Sequence, residues 1–234
     1  MNIDNILLLR TILLFVPYLI VIAIFYFKVR DNFFLKPRSH IQLNLMMILL
    51  VVSFIESVYW HISWNKYSFL NFAINGTEGS SDTLIVLLGI LAAVLGWLYT
   101  SRGQDLTSKR SHSIQTLMAS RLSEAYANHA NFATGVYVRT RNERGDSAVI
   151  TMAEFLNLKQ KERNAIFYQL NYFEFIAVGI RYGDLDENLM KNTLNSIIAN
   201  NFIFFGEVIK TKQEGNPRIY EHLTALYNRW NCKK

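Results

Sequence analysis

Apolar positions fall along this chain in two regimes. Over roughly the first hundred residues they run together, and afterwards they recur at helical spacing among polar side chains. No charged residue occurs between Arg10 and Lys28, between His40 and Glu56, or between Asp82 and Arg102. With slightly polar ends, such stretches are long enough to cross a hydrocarbon core of roughly 30 Å at about 1.5 Å per helical residue. They predict transmembrane helices over about residues 6–27, 41–62 and 83–101. Pro17 is tolerated inside a membrane helix, and Arg10 can snorkel from its end. Tyr59, Trp60 and Trp64, then Trp97 and Tyr99, suit the aromatic belt at an interface. The first run is read as a retained span and not a signal peptide. Its start, MNIDN, is not basic, and no small-residue cleavage site follows Lys28.

Beyond residue 103 the period is helical. Ile114, Met118, Leu122, Ala125, His129, Phe132 and Val136 predict one long amphipathic helix continuing from the third span to about residue 138, with Arg102-Gly-Gln-Asp105 as a joint. Thr140 to Asp146 reads as a polar loop. Thr151 and Glu154 have the spacing of a capping box. A strong helix follows from about Lys161 to Tyr182, closed by Gly183. Asp184 or Asp186 caps the next, to about residue 212, and Asn216-Pro217 opens the last with proline in its first turn. Ile219, Leu223, Leu226 and Trp230 form its apolar face. The expected fold is all-α: a membrane domain over 1–103 and a cytosolic helical bundle over 104–234.

Charge then orients the chain. The 28–40 connection carries Lys28, Arg30, Lys36 and Arg38 against Asp31, whereas 61–82 carries Lys66 against Glu78 and Asp82. Arg102, Lys109 and Arg110 follow the third span. The positive-inside rule places the 28–40 loop and the C-terminal domain in the cytoplasm, with the N-terminus and the 61–82 loop outside. The Asn75-Gly-Thr77 sequon on that outer loop is equally a plain turn. The net charge of +6 is ordinary beside an anionic membrane surface, and no dense basic stretch marks a nucleic-acid footprint. A single cysteine, Cys232, leaves no intrachain disulfide or cysteine metal site.

Within the membrane domain, Gly89/Ala93 and Ala92/Gly96 are small-xxx-small pairs that let helices approach closely. They serve packing within the chain, homo-oligomerisation, or both. Gln42 and Glu56 lie near one face of the second span. Glu56 is either an interfacial structural group or the lining of a pore or cavity, and Gln42 an interhelical hydrogen-bonder.

The most distinctive segment is YQLNYFEFIAVGIRYGDLD, Tyr168 to Asp186. Asn171 and Glu174 share a helix face there, and polar groups on an apolar helix need partners. A buried network with Arg163 or Arg181, a ligand-sensing pocket and a catalytic site are the readings. Gly179 suits a close helix approach. The segment resembles a family of bacterial and prophage-borne proteins described as a domain of unknown function, over roughly residues 100–230. The resemblance implies a membrane anchor joined to a cytosolic helical domain, and a place beside anti-phage systems. It carries over no catalytic residue.

Three functions follow as expectations. The first is an inner-membrane effector of an abortive-infection-like defence system, homo-oligomeric, which depolarises the bilayer when its cytosolic domain is triggered. The second is a membrane scaffold that docks a cytosolic regulatory protein or nucleoprotein. The third is a tethered helical ribonuclease, but such enzymes need Arg, four to six residues, then His. Arg121 with His129 and Arg218 with His222 miss that spacing. No motif for a nucleophile, phosphate loop or metal is present, so neither catalysis nor a cofactor is expected. Three spans lack the inverted repeats of a transporter.

Overall fold

The computed structural model describes residues 3–29, 31–66, 81–145 and 147–231. Every regular element among them is a helix. The chain divides into two compact units, Met1–Asp31 with Pro37–Leu106, and Asn32–Lys36 with Thr107–Lys234.

The first unit holds α1 (Ile3–Val29), α2 (Ser39–Lys66) and the first part of α3 (Ser81–Leu122). α1 packs on α2. Two helical stretches, Ser39–Tyr59 and Ile85–Leu122, are long and apolar enough to cross a membrane, and almost none of either is buried within the protein. Core helices of a water-soluble domain bury such surface; here Ile85, Ile90, Ile55 and Ile20 all stay exposed. Three spans were expected and two meet the length. The apolar run in α1 is Thr11–Phe27, 17 residues, which rises about 25 Å. Ser39 Oγ donates to Asp105 Oδ2 at 2.8 Å and ties the start of α2 to α3.

The expected joint at 102–105 is absent: α3 is one helix of 42 residues. A single interior glycine, Gly103, costs about 1 kcal/mol and does not break a helix held on both sides. The break comes later. Ser123 takes an extended conformation and its hydroxyl accepts from the Tyr126 N–H, which caps α4 (Glu124–Arg144). The expected loop at 140–146 is helical to Arg144 and closes at Gly145, whose φ of 88° favours glycine.

In the second unit α6 (Gln160–Tyr182) is the central element, packed by α4 and α9 (Glu221–Asn231). Its Ala165, Ile166, Leu170, Phe173, Ile176, Ala177 and Ile180 are wholly buried. α5 (Met152–Asn157), α7 (Glu187–Phe204) and α8 (Gly206–Gly215) complete the bundle. The Thr151–Glu154 capping box is present in both directions, Gly183 ends α6 in the left-handed region, and Asp186 caps α7 through the Leu189 N–H. In the Ala148–Ile150 stretch the Ala148 N–H donates to Gly145 O and the Ile150 N–H to Phe204 O.

Two further boundaries and the facing of one stripe differ from expectation. The helix predicted to reach residue 212 breaks at the buried Phe205. Asn216-Pro217 opens a turn, and α9 begins only at Glu221, after Tyr220 at φ 55°. The stripe Ile114, Met118, Leu122, Phe132 faces outward, with Leu122 at 77% exposure. Of the expected stripe Val136 is buried, and the other buried positions are Ser113, Leu117, Ala133 and Thr140. A stripe drawn through Ser123 cannot stay continuous, because the chain changes direction there.

Candidate functional site

The polar groups of the second unit converge where the C-terminal half of α6 meets α9. An N-terminal turn leaves amide donors without intrahelical partners. At α9 Glu174 of α6 fills the role of a cap: its Oε1 and Oε2 accept from the His222 and Leu223 amides at 3.2 and 2.6 Å. The negative charge also suits the positive end of the helix. Tyr220 lies buried beside it. Burial, then the Glu174 charge, pushes its phenol up to about 12.

Two turns beyond, Arg181 is 9% exposed. Its Nη1 lies 2.7 Å from His222 Nδ1, and 3.6 Å from Glu221 Oε1. A guanidinium only donates, so His222 accepts through Nδ1 and carries its proton on Nε2. Arg181 Nε donates to the Phe33 carbonyl at 3.1 Å, and the Arg181 carbonyl accepts from the Leu35 N–H at 2.8 Å. On α9, Arg229 holds Glu187 of α7 through Nε–Oε1 at 2.5 Å and Nη2–Oε2 at 3.1 Å. Trp230 Nε1 donates to the same carboxylate. The Arg229 guanidinium also covers the rings of Phe33 and Phe34, at 4.4 and 5.1 Å from their centroids. Lys36 Nζ lies 5.0 Å over the Tyr182 ring. A short polypeptide segment thus sits under two guanidinium groups, its backbone read by one and its rings by the other.

Of the residues the sequence singled out, Glu174 and Arg181 come together around His222. Asn171 and Arg163 stand apart, so the four form no single network. Asn171 is exposed, one step outside the buried face of α6. Arg163 lies three turns before Glu174 and bonds Leu156 O and Gln160 Oε1. Gly179 lies under Leu185, not under a helix; a Cβ built there meets Leu185 Cδ1 at 2.6 Å. Gly89, Ala92, Ala93 and Gly96 are exposed, and a Cβ built on Gly89 or Gly96 meets nothing within 4 Å among the described residues. Gln42 is exposed. The Glu56 carboxylate oxygens are buried without a hydrogen-bond partner among the described residues. His129 stacks on Tyr168 at 4.4 Å. The Asn75 sequon and Cys232 lie outside the described residues. Among those described, no cluster of three His, Cys, Asp or Glu is placed to hold a metal.

Sequence reasoning missed Phe33, Phe34, Glu187 and Arg229, and weighed His222 only as half of a nuclease pair. A signal for the first two was there: adjacent phenylalanines in an otherwise polar, basic connection.

Residues 83–230 match the family described as domain of unknown function DUF4760, and the chain belongs to that family. The match begins in the apolar part of α3 and so covers more than the helical bundle. No curated protein and no solved structure matches the chain.

Proposed function

We propose that the protein is an effector of the bacterial inner membrane, which oligomerises and depolarises the bilayer when its helical domain is triggered. The observation that carries this reading is the placement of residues 32–36. They connect α1 to α2, yet belong to the same compact unit as residues 107–234. A loop and a domain that pack together share one side of a membrane. With α2 leaving that side and α3 returning, the chain's charges set both in the cytoplasm. α1, 27 residues long with polar ends, serves as the third span and puts the N-terminus outside.

Two features suit an oligomer that perturbs the bilayer. The small residues of α3 are open, which favours their use between copies. The Glu56 carboxylate, short of partners within the chain's described residues, is the kind of group that faces a cavity or another subunit at membrane depth. The place beside anti-phage systems rests on the family resemblance alone.

The test is membrane potential, read with a voltage-sensitive dye during controlled expression of the full chain in a bacterial host. Depolarisation that rises with expression, and that Gly89→Leu weakens, is the expected result. An intact potential at every level, with a stoichiometric cytosolic protein co-purifying, would instead establish the scaffold. That second reading has its own support in the outward-facing Ile114, Met118 and Leu122.

A further inference from the structure

The contacts around Phe33 have the form of ligand recognition more than of loop packing. Arg181, nearly buried, holds a backbone carbonyl of the segment and returns its own carbonyl to the Leu35 amide. Pairing through main-chain groups in both directions is how proteins hold a peptide. Arg229 supplies a flat cation over two rings, and Glu187 with Trp230 fixes that cation in place. Phe33 and Phe34 meet edge to face at 5.2 Å, so the pair is presented as one aromatic wedge. The segment carries no helix or strand of its own, and its immediate neighbours, Asp31 and Pro37, belong to the other compact unit. Phe33, Phe34, Leu35 and Lys36 are therefore held by groups of α6 and α9, while the chain on both sides leads towards α1 and α2.

We propose that the α6–α9 end is a peptide-binding site whose resident ligand is the chain's own Asn32–Lys36 segment, and that this segment is a latch holding α1 and α2 in the silent arrangement. The latching role rests on the effector reading above; the binding site does not. A trigger acts by emptying the site. The chemistry that competes for it is a polypeptide segment with adjacent aromatic rings and a free backbone carbonyl.

The test uses the full chain in host membranes. Lys36→Cys and Tyr182→Cys are introduced together on a Cys232→Ser background and joined with a short, reducible bis-maleimide. Mass spectrometry reads the yield of the 36–182 link, and the dye reads the potential. Efficient linking is expected, falling at least fivefold when Arg181→Ala or Arg229→Ala is added. Phe33→Ala with Phe34→Ala is expected to act likewise; Phe33 also packs against the bundle's core, so Phe34→Ala by itself is the change confined to the segment. Arg139→Ala, on an exposed arginine paired with Glu162, leaves the yield unchanged. Released variants depolarise at lower expression than the parent, and the linked protein stays silent until reduced. A yield that no arginine or phenylalanine change lowers overturns the binding site. Variants that lose the link yet depolarise no more readily than a depolarising parent overturn the latch. If neither parent nor released variants depolarise, the effector reading fails and the latch with it, while the linking yields still decide the binding site.

Discussion

The Glu174 carboxylate and the Leu223 amide lie 2.6 Å apart, although 49 residues separate them in the chain. A residue of one helix thereby caps the start of another, which fixes α9 against α6 before any apolar contact is counted. Charge-assisted caps of this kind contribute about 1–2 kcal/mol. Glu174→Gln keeps one acceptor and loses about 1 kcal/mol; Glu174→Ala strips both amides and loses about 2 kcal/mol. Denaturant unfolding of the detergent-solubilised protein measures the difference, and hydrogen exchange places it in α9.

Acidification acts at a different junction. Arg144, first, and the Thr151 N–H hold the Glu154 carboxyl down to about 2. A carboxyl depressed in the folded state stabilises above its unfolded pKa, near 4.5. That contribution is lost as pH falls from about 4.5 through about 2. The wild type is therefore more stable than Glu154→Gln at pH 6, and the two melting temperatures converge towards pH 2. A gap that persists at pH 2 would assign the effect to packing.

Leu185 occupies the space a side chain at 179 would need. Gly179→Ala puts a Cβ 2.6 Å from Leu185 Cδ1 and forces a buried leucine to move, at about 1–3 kcal/mol. Leu185→Ala removes the clash while opening a void. The double variant is expected to be less destabilised than the two single losses summed, a coupling that equilibrium unfolding reads directly.

The α3 glycines behave in the opposite way. A Cβ at Gly89 or Gly96 meets no described residue, so Gly89→Leu and Gly96→Leu leave helix content unchanged. Cross-linking between copies in the membrane is expected to fall severalfold, since a leucine holds helix backbones apart. Undiminished cross-linking, or none in the parent, would overturn a contact between copies through these glycines.

How much of this was legible depends on how local each signal is. Thr151 with Glu154, Gly183 and Asp186 mark helix ends within a few residues of themselves, and each takes the predicted role. Ser123 is the same kind of signal but lay inside an apolar stripe that ran smoothly across it. The buried face of α3 was hidden because it depends on a distant partner. Ser113, fully buried, donates to Lys109 O and accepts from the Asp186 N–H, a use of serine that no helical period marks. Glu174 and Arg181 were singled out, yet the amides that Glu174 accepts from and the Phe33 carbonyl that Arg181 holds are groups every residue has and no pattern distinguishes. The adjacent phenylalanines at 33 and 34 stood out, but their seat did not: Phe33 belongs by sequence to one unit and by contact to the other.

That division makes the helical domain a discontinuous one. A gene fragment beginning at residue 107 encodes most of it and omits Asn32–Lys36. It leaves the Arg181 and Arg229 guanidinium groups without the carbonyl and rings they hold. Recombination that shuffles this domain onto a new anchor must bring a substitute for those five residues or leave the seat empty. On the latch reading, exchanging residues 1–106 between relatives becomes a way to ask which Asn32–Lys36 segments fit which seats.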